Sequence, residues 1–244
     1  MPKKAESRKG KAVRPKERPA GARRRLTPAV RRLQILEAAK DLFASGGIER
    51  VSMRNIAMRV GITQAAIYQH FEGKDAILFA VCEDFFARLI EANEKIACET
   101  NDPVELLKKS MLAYVETGLK WPEEYRLVFM TSISGLELRG AHRVVPGFEE
   151  ISPTKGKIAF AYLHDQVRAL IAGGHIRQGD VDVTAEAIWA ASHGLVSLFI
   201  THVHFPWERQ KIIETQMKIL LLGLLPEDSP ARAAATAKGG RPSD

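Results

Sequence analysis

Residues 61–71, GITQAAIYQHF, set a glycine just ahead of a threonine that can cap a short helix. Upstream, Ser52-Met53-Arg54-Asn55-Ile56-Ala57-Met58-Arg59-Val60 puts Met53, Ile56, Ala57 and Val60 at three- and four-residue spacing, with Ser52 suited to the N-cap. Gly61 then ends that helix, because glycine accepts the left-handed backbone that a tight turn requires. Ile62 is expected to return to the core, Thr63 to cap the second helix through its hydroxyl, and Ala65, Ala66 and Ile67 to let that helix pack closely on the first. Two short helices meeting at a glycine turn form the motif whose second helix lies in the major groove of DNA. A longer helix from about residue 28 to 45, with Ile35, Ala38, Ala39, Leu42 and Phe43 on one stripe and Gly46-Gly47 as its stop, completes a three-helix domain.

From Ile35 to Leu78 the sequence ILEAAKDLFASGGIERVSMRNIAMRVGITQAAIYQHFEGKDAIL resembles the DNA-binding domain of the TetR family of repressors. Ala65 stands where many relatives carry glycine, and Asn55 replaces the acid that would complete a capping box with Ser52. Thr63 and Gln64 open the recognition helix, and a glutamine amide can pair bidentately with adenine, so Gln64 is the foremost candidate base reader. Ala65 and Ala66 are candidates to touch a thymine methyl. By the resemblance, Tyr68, His70 and Lys74 match positions that grip phosphate, with Lys74 near a helix start whose dipole also attracts anions. Ser52, Arg54 and Gln69 complete the candidate DNA contacts, while Phe71 is expected in the core.

Charge is unevenly spread. The chain of 244 residues carries +7 overall, yet residues 1–25 hold eleven Lys or Arg against Glu6 and Glu17, a net of +9. With Pro2, Pro15 and Pro19 and no apolar periodicity, residues 1–27 read as a basic arm, disordered when free, that either follows DNA phosphates or solvates the protein. No apolar run follows the basic residues, which excludes a signal peptide. Cys82 and Cys98, if both lie on one helix, are about 24 Å apart and cannot bridge; they fit a reducing cytoplasm. Residues 185–203 come closest to a membrane span but are interrupted by Glu186, His193 and His202, and read as a buried helix.

Beyond residue 102 the punctuation predicts helices alone. Asn101-Asp102-Pro103 opens one through Gly118, and Trp121-Pro122-Glu123-Glu124 opens another to about Arg139. A loop follows over residues 140–152, then helices from Pro153 to Gly173-Gly174, from a cap at Asp182 or Thr184 to Val203, and from Pro206 to Leu224. The reading is all-α, about nine helices, with a helix-turn-helix domain at 28–76, a larger ligand-binding and dimerisation domain at 77–226, and a disordered tail at 227–244. Tyr125-Arg126-Leu127-Val128-Phe129, Gly173-Gly174-His175-Ile176, and Trp189 followed by His193-Gly194 resemble a TetR ligand-domain subgroup named for a Trp-His-Gly motif, although Ser192 precedes His193 here.

In relatives the last two helices pair across a two-fold axis, which implies a homodimer through residues of about 184–204 and 206–224. Small Ala187, Ala190, Ala191, Ser192, Gly194 and Ser197 would allow that close approach. A small hydrophobic or amphiphilic effector is expected among Phe85, Phe86, Trp121, Tyr125, Phe129, Met130, Phe160, Tyr162 and His193. His202 and His204, if helical, point about 200° apart and cannot share a metal. Neither His164-Asp165 nor Ser192-His193 forms a catalytic pair, since helical neighbours do not face each other. The expectation is a ligand-responsive repressor on palindromic operator DNA, with no cofactor, metal or membrane partner. The rivals are a constitutive chromosome-organising protein and a helical-bundle enzyme with a degenerate reading domain.

Overall fold

The structure, a computed structural model, describes residues 26–130 and 154–237. Helix α1 (Pro28–Gly46) begins on a proline and is capped by Thr27, whose hydroxyl accepts the Val30 amide; Gly47, at φ 75°, turns the chain out of it. A 3-10 turn (Ile48–Arg50) leads to α2 (Met53–Val60). Ser52 and Asn55 form a reciprocal capping box there, so Asn55 completes the box that the sequence reading withheld from it. The amide oxygen of asparagine accepts the Ser52 amide as a carboxylate would. Gly61, left-handed at φ 73°, closes α2, and Thr63 caps α3 (Gln64–Tyr68). Isolated helices of this length do not hold in water. This one is pinned by Ile67 and by the following Phe71, both in the core.

Helix α4 (Lys74–Glu99) runs from the reading domain into the larger one. It is followed by α5 (Pro103–Lys120), α6 (Pro122–Phe129), α7 (Lys155–Ala172), α8 (Val181–Thr201), α9 (Arg209–Leu224) and α10 (Pro230–Ala237). All regular elements among the described residues are helical, as the sequence predicts. Several boundaries differ. Helix α5 continues past Gly118, which is buried because a Cβ there would lie 2.6 Å from Val196 and 2.9 Å from the Tyr125 ring; its glycine serves packing, not termination. Asp180, not Asp182 or Thr184, caps α8 by accepting the Val183 amide. Helix α9 starts at Arg209, since residues 202–207 form a turn in which the Trp207 indole donates to the His202 carbonyl. Helix α10 occupies part of the expected tail, and the Arg232 guanidinium donates to the Leu222 and Leu225 carbonyls. Residues 1–25 of the basic arm, the expected loop at 140–152 and the expected continuation of α6 from residue 131 to Arg139 lie outside the described residues.

Two cores result. The first holds Ile35, Ala39, Phe43, Ile56, Ile67 and Phe71, and also Ile77, Leu78 and Val81 of α4 and Leu127 of α6. The second takes Phe85 and Leu89 of α4, Tyr125 of α6, and apolar faces of α5, α7, α8 and α9. The cores therefore meet inside α4 and across α6 and not at residue 76, because a continuous helix can bury one stretch in each. Both thiols lie on α4, with Cys82 buried and Cys98 exposed; burial pushes the Cys82 thiol up to about 12, which leaves it protonated. Helix α8 is by length and composition able to cross a membrane, but in the fold it packs against α5, α7 and α9.

Candidate nucleic-acid interface and ligand site

The α2–α3 unit fixes which side chains face outward. Ile67 is fully buried, so its neighbours Gln64, Ala65, Tyr68 and Gln69 are exposed, and Ala66 and His70 are half-buried. Thr63 is exposed but its hydroxyl accepts the Ala66 amide at 3.1 Å, and the Ser52 hydroxyl is likewise engaged with Asn55. Each retains its oxygen at the surface beside a helix start. Arg54 is exposed at the first turn of α2. Lys74 is half-buried and donates to the Ile48 carbonyl at 3.1 Å, so it braces the 3-10 turn with one of its three protons. Sequence reasoning missed Arg32. Its guanidinium lies 4.0 Å over the Phe71 ring and donates to the His70 carbonyl at 2.9 Å, tying the exit of α3 to α1.

The link between the domains is charged and buried. Lys40 of α1, 6% exposed, meets Glu37 at 2.8 Å, and Asp84 of α4 and Glu124 of α6 at 3.7 Å each. Glu124 is also 3.6 Å from Arg88, whose guanidinium covers the Trp121 ring at 4.1 Å. Trp121, expected at the ligand, thus serves this junction with one face.

The aromatic candidates divide. Phe85, Phe86, Tyr125, Phe129 and His193 come together: Tyr125 and Phe129 are 4.7 Å apart, Phe86 and Phe129 5.8 Å, and Phe129 and His193 5.3 Å. Phe160 joins through Trp189 at 6.3 Å. Tyr162 does not, because its hydroxyl donates to Glu94 at an exposed edge, and Met130 is exposed at the end of α6. A polar string crosses this box. The Trp189 indole donates to Tyr114 at 3.0 Å, Tyr114 and Tyr125 are 3.0 Å apart, Tyr125 is 2.5 Å from His193 Nδ1, and His193 Nε2 is 3.1 Å from Ser197. Burial holds both phenols above their ordinary pKa and His193 below its own, so all three are neutral. Tyr114 and Ser197 escaped the sequence reading. The spacing of Trp189, His193 and Ser197, four residues each, was the available signal.

His202 and His204 follow the last residue of α8 and are not helical, so the separation of about 200° expected of helical neighbours does not apply to them. Among the described residues no group of three ligands could hold a metal. His164 does approach Asp165, at 3.7 Å, but its closer partner is Asp182 at 2.7 Å on the protein exterior. A groove of about 410 Å³ lies behind the reading helix, lined by Arg32, Leu36, Phe71, Phe79, Glu83 and Lys155 among others, and no ligand candidate lines it.

Residues 35–81 match the profile of bacterial regulatory proteins of the tetR family. Over 116 residues the chain is 31% identical to the transcriptional activator FasR of Mycolicibacterium smegmatis, covering 46% of this chain and 53% of that one. Over 118 residues it is 30% identical to the transcriptional repressor KstR2 of the same organism, covering 48% and 49%. The chain thus spans about half the length of the curated relatives it matches. In fold it is similar to the ketosteroid transcriptional regulator KstR2 of Mycobacterium tuberculosis, with TM-score 0.61 and 23% identity over 81% of this chain and 96% of that chain. It is also similar to the fatty acid degradation regulator FadR of Bacillus halodurans, with TM-score 0.63 and 16% identity over 78% and 94%.

Proposed function

Since residues 35–81 match the profile of the tetR family of bacterial regulatory proteins, we propose that the chain is a member of that family, a homodimeric transcriptional repressor released from a palindromic operator by a small apolar or amphiphilic effector. The observation that carries this reading is the two-sided α6. Tyr125 and Phe129, one turn apart, stand in the aromatic box, whereas Glu124 and Leu127 stand in the ion cluster and core of the reading domain. An eight-residue helix shared in this way cannot shift toward a ligand without disturbing its grip on α1 and α4.

The reading surface is Gln64, Ala65, Ala66 and Tyr68, with Thr63, Ser52, Arg54, Gln69, His70 and Lys74 around it, and the basic arm adds phosphate attraction without sequence information. Dimerisation uses the outer faces of α8 and α9. Val183, Ala187, Ala190, Gly194 and Leu198 make one small and apolar stripe, continued on α9 by Ile219, which is 61% exposed. Such a surface calls for a partner, and a second copy supplies a self-complementary one.

Selection of bound sites from random DNA with the full chain tests this. An inverted repeat with half-sites about one helical turn apart is expected, and broad, unselective coating would overturn it. The name of FasR supports a second reading, activation, and a promoter fusion in cells with and without the protein decides the sign.

A further inference from the structure

Three consecutive residues of α6 reach three different neighbours, because side chains one apart on a helix point about 100° from each other. Glu124 turns to Lys40 of α1 at 3.7 Å and to Arg88 of α4 at 3.6 Å. Tyr125 enters the aromatic box. Arg126 turns to the far end of α8, where one guanidinium nitrogen donates to the Ile200 carbonyl while the other holds Glu123 on its own helix. Ile200 is the penultimate residue of α8. A carbonyl there has no partner within its helix, and a cation beside it also meets the negative end of the helix dipole. A second guanidinium, that of Arg209 on α9, takes the neighbouring Phe199 carbonyl at 3.4 Å. The same turn carries Leu198, 46% exposed, on the stripe assigned above to the partner subunit.

We propose that Arg126 is a positioning residue that sets the half-site spacing accepted by the dimer. This rests on the homodimeric reading above. A reading domain carried by α4 alone can roll about the axis of that helix. Helix α6 gives it a second point of attachment, through Glu124 to Lys40 and through Leu127 in the first core. Arg126 in turn ties α6 to the end of the helix that faces the partner. The path from Leu198 through Ile200, Arg126, Glu124 and Lys40 therefore fixes each reading domain relative to the two-fold axis, without any of these residues meeting DNA. Base pairs follow one another every 3.4 Å or so, and play of about 1.7 Å at each recognition helix thus amounts to one base pair of spacing. Loss of the Arg126 tie frees that play and leaves the caps and glycine turn of α2 and α3 as they are.

Fluorescence anisotropy of the full chain tests this on four duplexes: the selected inverted repeat, the same repeat with one base pair added or one removed at its centre, and a single half-site. The parent should bind its own spacing about tenfold more tightly than either altered one, the penalty of one mismatched base pair. Arg126→Met should bring the three spacings to near equality while the half-site binds as in the parent. Arg209→Met removes the other guanidinium from the same helix end but leaves α6 tied, so it should keep the parent's spacing preference even where both variants melt at a lower temperature. Glu124→Gln cuts the path at its other end and should relax the spacing as Arg126→Met does; it decides the matter if Arg126→Met does not fold. A spacing preference kept in Arg126→Met or in Glu124→Gln, equal relaxation in Arg209→Met, or half-site binding weakened in Arg126→Met would each overturn the role of Arg126 and leave the dimer standing. A parent with no preference for an inverted repeat would remove the homodimeric reading and this role with it.

Discussion

Gln64 is the first residue of α3 and is exposed, with its helix end pinned by the Thr63 cap. An amide held there can meet an adenine edge, so Gln64→Ala should cost about 1–3 kcal/mol per half-site at one base position. Anisotropy titrations with operators varied at each base check this, and an unchanged base preference would remove Gln64 from the readout. His193 makes a second prediction at this scale. Burial places its folded pKa below the ordinary value of 6.5, so its contribution to stability is present above that value and lost as pH falls through the folded one. Tyr114 and Tyr125, which face it, are held protonated and do not titrate in this window. The melting temperature should therefore fall between pH 7.5 and 5, and fall less in His193→Gln. Equal slopes for the two proteins would contradict it. The residue signals in the reading domain were legible because caps and turns act within three or four positions, as at Ser52, Gly61 and Thr63. Lys40 was not legible, since its partners Asp84 and Glu124 come from other helices.

At the scale of helices, close approach decides what the sequence reading left open. Gly118 lets α5 lie against Val196 of α8 and the Tyr125 ring. Gly118→Ala should push that ring and destabilise the protein by about 1–3 kcal/mol, as overpacking does, and should also weaken binding in the box. Urea unfolding measures the first effect, and a variant as stable as the parent would show that the helices can part freely. The proposed dimer is carried by the outer stripe of α8 and by Ile219 of α9, which is exposed in the single subunit. Leu198→Glu combined with Ile219→Glu should yield monomers in sedimentation velocity while helical content stays, because both side chains point outward in the single subunit. A dimer that survives both charges would move the interface elsewhere. The amphipathic pattern revealed these helices, yet it could not show which side of α8 faces a partner, for α8 is apolar on nearly every side.

In the whole molecule, the proposed release works through the distance between two recognition helices. Successive major grooves lie about 34–36 Å apart, and both α4 and α6 connect the box to the reading domain. Spin labels at Gln69, which is exposed beside α3, should report a changed inter-subunit distance when effector binds, with both domains still folded. Loss of DNA binding at an unchanged distance distribution would refute release by spacing. The sequence alone determined the all-helical class, and the caps and glycine turn of the helix-turn-helix, because these follow from periodicity and from hydrogen bonds between near neighbours. Only the tertiary structure decided that α6 belongs to two cores, that Tyr114, Tyr125 and His193 share one string, and that Tyr162 and Met130 stand apart from it. Two of those contacts join residues 68 positions apart. They are set by the angles and depths at which helices cross, which no local pattern encodes.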